Sequence, residues 1–161
     1  KNKIVFFKQI MIYYKLNLYL AEFPWIGSKA CKYKVFKSPQ WLRNIKDRKY
    51  NFFRFDTLFS KTKYMNIKII NNGGWHFTNL KNAKEIEYKL KSYLHHREFD
   101  VNPISSEEIK RIMNDKIAIY DLSLDKKTQK IGHGKKLQKY SLEKLPKFLQ
   151  NNIVNYQEWI D

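Results

Sequence analysis

Disulfide chemistry is nearly absent from this chain. Its one cysteine, Cys31, has no partner within the sequence, which excludes internal cross-linking and makes a reducing compartment the default. Glycine and proline are scarce at 5 and 4 residues, so no stretch has a linker's composition. Long apolar runs are missing as well. The richest, residues 4–20, is interrupted by Lys8 and Lys15 and stays short of the roughly 20 continuous apolar residues of a membrane span. No compact apolar core followed by a small-residue cleavage site marks a secretory leader, and the expected location is cytoplasmic or peripheral at a membrane. Acidic residues are few, 15 against 32 basic, for a net charge of +17.

What is present is a hydrophobic content of 43% and an aromatic content of 16%, far from the composition of disordered chains. The length of 161 residues fits a single domain spanning 1–161, since a chain of about 150 residues buries roughly 70% of its unfolded surface. The basic excess points by sign to polyanions, but only 5 of the 32 cations are arginine, the residue with the planar fork suited to bases and phosphates. Lysines scattered among Asn, Ile and Tyr fit a solvated surface. No nucleic-acid partner is expected, although a basic surface also attracts an anionic small molecule.

Alternating apolar positions from Gln9 to Leu20 predict one long strand, with Tyr33 to Phe36 as a short second strand after the break at Phe23-Pro24. Ser38-Pro39 reads as N-cap and first helical residue of a short helix through Ile45. Phe52 to Phe55 and Tyr64 to Ile70 have strand character, and the second runs into Asn71-Asn72-Gly73-Gly74. Asn82 with Glu85 predicts the start of a helix from about Ala83 to His95; Ser105 with Glu108 starts another carrying Ile109, Ile112 and Met113 on one side. Residues 117–122 read as strand or loop, Gly132-His133-Gly134 as a turn, and Phe148 to Trp159 as a closing helix or coil.

The segment that points to chemistry is Gly73-Gly74-Trp75-His76-Phe77-Thr78. Paired glycines allow positive φ and close backbone approach. Trp75 adds a stacking face, His76 a group for proton exchange or ligation, and Thr78 a hydroxyl. A structural turn explains the glycines equally well. His95-His96-Arg97-Glu98 follows about one helix later.

In that order the segments resemble glycosyltransferase family 17. The resemblance covers most of the chain: Tyr13-Tyr14-Lys15-Leu16-Asn17 and Trp25-Ile26-Gly27, then the Gly-Gly-Trp-His-Phe-Thr segment, the helix ending in His95 and Glu98, and Leu145-Pro146-Lys147-Phe148-Leu149. It implies the C-terminal portion of a GT-A-like mixed α/β domain, whose activity is inverting transfer of N-acetylglucosamine from a UDP-sugar to a glycan hydroxyl. Gly73, Gly74, Trp75, Phe77 and Thr78 would shape the donor site, with His76 and Glu98 as the catalytic candidates. Glu98 would be the base that takes the acceptor proton, the alternative being an ion pair with Arg97. His95 and His96 are explained more simply by a favourable helix C-terminus, Glu85 as a cap, and His133 as part of a flexible turn.

A divalent metal, Mn²⁺ or Mg²⁺, is implied for the full-length enzyme. No Asp-x-Asp or Asp-Asp-x-Asp occurs here, the acidic groups nearest that pattern being the isolated Asp47, Asp56 and Asp100. The expectation is therefore that the metal ligands lie upstream of Lys1, that this chain is one piece of a longer one, and that alone it is inactive. The alternatives are a basic polyanion-binding module and a decayed transferase remnant.

Overall fold

The computed structural model describes residues 4–48, 50–51, 53–92, 99–100, 103–120 and 132–161. They form a mixed α/β structure in two compact units, and the chain passes from one to the other after Ile10, Phe23 and Gly74.

The first unit, Lys1–Ile10 with Pro24–Gly74, is built on strand β1 (Ile4–Phe7). On one side β1 pairs antiparallel with β4 (Lys29–Cys31) and on the other parallel with β5 (Ile67–Ile70). Alternation along β1 buries Ile4 and Phe6, which pack with Ile45 and Ile67; Trp41, Leu42 and Tyr64 close around them. Helix α1 (Pro39–Asn44) starts as its sequence predicts. The Trp41 amide donates to Ser38 Oγ at 3.0 Å, and Pro39 occupies a position that needs no N–H donor. At the other end Lys29 Nζ donates to the carbonyls of Arg43 and Ile45 at 2.6 and 2.9 Å, satisfying oxygens that the helix leaves unpaired.

Tyr33–Val35 is a 3-10 turn rather than the expected strand, because Tyr33 is exposed among Lys32, Lys34 and Lys37 and no apolar face is buried there. Of the run 52–55, Phe52 lies outside the described residues. Arg54 and Phe55 lead into the short helix α2 (Asp56–Phe59) rather than a strand.

The second unit, Met11–Phe23 with Trp75–Asp161, contains a four-stranded sheet in the order β6-β2-β3-β7, formed by Trp75–Thr78, Ile10–Tyr13, Leu18–Tyr19 and Gln138–Lys139 respectively. The long strand expected over Gln9 to Leu20 is therefore two strands. Tyr14 takes a left-handed φ of 61°, the Lys15 amide donates back to Tyr13 O, the Leu18 amide donates to Lys15 O, and the chain returns antiparallel with Ile12 opposite Tyr19. Period-two alternation gave no warning because Met11 to Tyr14, Leu16 and Leu18 are all buried, turn included.

Helix α3 (Ala83–Ser92) begins with the reciprocal bonds foreseen for Asn82 and Glu85, both at 2.9 Å. Its Ile86 and Leu90 are buried, while the predicted end at His95 lies outside the described residues. Helix α4 (Ser106–Asn114) has the complete Ser105–Glu108 capping box, buries Ile109 and packs against α3. Ile117 makes a lone bridge to Lys136. Helix α5 (Lys147–Asn151) and a 3-10 segment, Ile153–Trp159, close the chain. No helix among the described residues is long and apolar enough to cross a membrane.

Candidate functional site

The glycine pair belongs to a register change within the first unit. The Lys8 amide donates to Ile70 O and the Ile10 amide to Gly74 O, so two residues on one side face four on the other. Two extra residues must be looped out between β5 and β6, and the backbone does this with Asn72 at φ 52° and Gly74 at φ 122°. Gly73 donates its amide to Lys8 O at 2.7 Å and lies so close to β1 that a Cβ there would sit 2.7 Å from Phe7 Cβ and 3.0 Å from Phe7 Cα. Each glycine thus has a conformational or steric reason to be glycine. A similar reason holds for Gly27, where a Cβ would run into the Trp25 indole 2.1 Å away.

Past the glycines, Trp75–Thr78 forms edge strand β6 of the second unit. Trp75 Nε1 donates to Lys144 O at 3.1 Å and to Tyr140 Oη at 3.3 Å. The indole is thereby tied to the stretch leading into Leu145-Pro146, bringing two of the motif segments together. Phe77 is partly exposed, and the Thr78 carbonyl accepts the Tyr14 amide at 3.3 Å.

His76 is half-buried. Desolvation, and then the nearby Lys89 ammonium, hold its pKa below the usual imidazole value, so at neutral pH the ring is uncharged and has one donor and one acceptor nitrogen. Lys89 comes from α3 and donates to Asn79 Oδ1 at 2.6 Å; its own pKa is lowered by burial and then by Lys81. Asn79 is buried at φ 51°, a conformation Asn tolerates, and its side chain also bonds the Tyr13 hydroxyl. Burial raises the Tyr13 hydroxyl's pKa far above that of a free phenol, so Tyr13 stays uncharged. The result is a half-desolvated corner formed by the neutral His76 ring and the Lys89 ammonium, with the exposed Lys81 charge near Lys89 and the Asn79 side chain as Lys89's acceptor. Sequence reasoning singled out His76 and missed Lys89 and Asn79. The available signal was Lys89 four residues beyond Glu85 in the predicted helix, on the same side one turn on.

The Tyr-Tyr-x-Leu-Asn segment is a structural hub. Tyr14 is buried with its hydroxyl donating to Ile117 O at 3.0 Å, and it meets the Tyr13 ring edge-on at 4.6 Å. Asn17 Nδ2 donates to Asp161 O and the Asp161 amide donates to Asn17 Oδ1, both at 2.8 Å. Lys116 holds the Asp161 carboxylate at 2.5 Å and lowers its pKa. His133 is exposed at the Gly132–Gly134 turn, where a Cβ on Gly134 would overlap Ala118 O. Glu98, His95 and His96 lie outside the described residues. Among the described residues no three His, Cys, Asp or Glu side chains gather into a metal-ligand set.

Comparison with known protein families, with curated proteins and with solved structures returned no match.

Proposed function

We propose that the chain is the C-terminal portion of a GT-A-like nucleotide-sugar transferase similar to glycosyltransferase family 17, and that the His76–Lys81–Lys89 corner receives the diphosphate of a UDP-N-acetylglucosamine-type donor. The observation that carries this reading is the half-buried Lys89 ammonium. It has a neutral amide as its hydrogen-bond partner and a second lysine as its main electrostatic neighbour. A cation desolvated in that way gains most from a multiply charged anion, and a diphosphate supplies both the charge and the acceptor oxygens. The His76 ring, uncharged at neutral pH, lies within electrostatic reach of Lys89 and adds no second positive charge to be desolvated.

In the transfer, the acceptor glycan hydroxyl attacks the anomeric carbon, the bond from that carbon to the diphosphate oxygen breaks, and a carboxylate takes the hydroxyl proton. Glu98 is the candidate for that base. Lys81 and Lys89 meet the charge that grows on the leaving diphosphate. The described residues do not bring together the carboxylates a Mn²⁺ or Mg²⁺ ion would need, so no step is assigned to a metal here.

The test is calorimetric titration of the purified chain with UDP-N-acetylglucosamine and with UDP. Saturable binding, weakened about tenfold by Lys89→Met and by His76→Ala, supports the reading. Failure to bind either ligand removes it. The net charge of +17 favours a second reading, a polyanion-binding module, in which affinity for heparin or an oligonucleotide falls steeply with salt and ignores His76.

A further inference from the structure

Residues 48–63 of the first unit combine two features that do not ordinarily coexist on a solvated surface. Four large apolar side chains lie within seven residues and face water: Phe53 is 75% exposed, Phe55 71%, Leu58 66% and Phe59 89%. The described residues of the same stretch carry four cations, Arg48, Arg54, Lys61 and Lys63, against a single acid, Asp56.

The exposed side chains do not belong to a loose tail. Thr57 of α2 is buried and its Oγ1 donates to Arg54 O at 2.7 Å, while Ser60 Oγ accepts the amides of Thr62 and Lys63 at 3.2 and 3.1 Å. The segment is also tied to the rest of the unit, since Trp41 Nε1 donates to Lys61 O at 3.1 Å and the Lys46 amide to Thr62 O at 2.9 Å, while its Phe and Leu side chains stay exposed. Asp56 is clamped by Arg54 at 2.8 and 2.9 Å and by Lys63 at 2.7 Å, and these bonds hold its carboxyl well below the usual carboxylate range. The one negative charge is thus neutralised locally, and the rim presents net positive charge.

We propose that this segment docks on an anionic lipid surface, with Phe53, Phe55, Leu58 and Phe59 entering the interfacial layer and the surrounding lysines and arginines lying among the lipid phosphates. Charge complementarity selects the occupant: a basic rim around an apolar tip matches a surface that is anionic outside and apolar beneath, and the long lysine stems keep their charged ends at headgroup level while their methylenes follow the tip. A single-stranded nucleic acid would use the same cations, but Leu58 offers it no stacking face. This inference is independent of the transferase reading, since it involves neither His76 nor Lys89.

The experiment is co-sedimentation of the purified chain with sucrose-loaded vesicles of phosphatidylcholine alone and of phosphatidylcholine with 30% phosphatidylserine, beside fluorescence anisotropy with labelled oligo-dT. Two variants are used, Phe55→Ser/Phe59→Ser and Arg48→Glu/Lys61→Glu, the second leaving the Arg54–Asp56–Lys63 contacts in place. The first alters side chains that are mostly exposed and should keep the wild-type circular dichroism and melting temperature. The second keeps the aromatic tip intact and reads the electrostatic half separately. The expected result is binding to the anionic vesicles and not the neutral ones, reduced at least about tenfold by each pair. Four results overturn the proposal: no vesicle binding, vesicle binding unchanged in Phe55→Ser/Phe59→Ser, oligo-dT binding lost in that variant while vesicle binding is not, or self-association abolished by it in the absence of lipid.

Discussion

Two segments that look alike in the sequence, Tyr13-Tyr14-Lys15-Leu16-Asn17 and Gly73-Gly74-Trp75-His76-Phe77-Thr78, depart from regular backbone geometry in opposite ways. The first puts a tyrosine into the left-handed region at φ 61° and sustains it by burying the ring and bonding the hydroxyl. The second reaches φ 122° at Gly74, where no side chain is strained, and leaves its imidazole half-exposed. Strain held by packing marks a structural hub, whereas permissive backbone followed by half-desolvated polar groups leaves room for a ligand. The difference shows that an aromatic-rich motif does not by itself identify a site.

The comparison is tested most severely at Tyr14. Tyr14→Ala removes a buried ring and orphans the Ile117 carbonyl while leaving the Cβ strain of the left-handed φ in place, so urea unfolding should show a loss of about 3–5 kcal/mol. Retention of wild-type stability would show that the turn, not the ring, organises the hub. At the glycine pair, Gly73→Ala places a Cβ against the Phe7 backbone and should cost about 1–3 kcal/mol in the same measurement. A neutral effect would mean that β1 and the bulge separate easily.

Asn17→Ala breaks both bonds to Asp161 and should cost about 1–3 kcal/mol. Hydrogen exchange should then show faster exchange at the Asp161 amide, with little change at Ile69.

The smallest effect concerns His76. Its folded-state pKa lies below the unfolded value, so the unfolded chain binds more protons as pH falls through about 6.5 and stability should rise with pH across that window. His76→Gln should flatten that part of the pH–stability curve. An unchanged slope would show that another group titrates there.

Local signals were readable wherever the relevant energies are local. The caps at Ser38, Asn82 and Ser105 form the bonds their spacing predicts, because each involves residues three apart on one turn. The mixed α/β class was legible for the same reason. The break at Tyr14 was not, since burial on every side hides the end of a strand from a periodicity argument. Tyr33 to Phe36 failed in the opposite sense, having strand propensity without a face to bury. Of the candidate site, His76 and the glycines stood out by residue type, but Lys89 and Asn79 become meaningful only when α3 is brought beside β6.

By itself the sequence determined the helix starts, the excess of positive charge and the presence of an apolar core, all properties of composition or of neighbours along the chain. Tertiary structure decided what each motif is for. It made Tyr13-Tyr14 a buried hub, gave the glycine pair its two-residue register shift against β1, and left Phe55 and Phe59 facing water. Those outcomes depend on which distant segments pack against each residue, and burial and desolvation are set by those partners rather than by residue type.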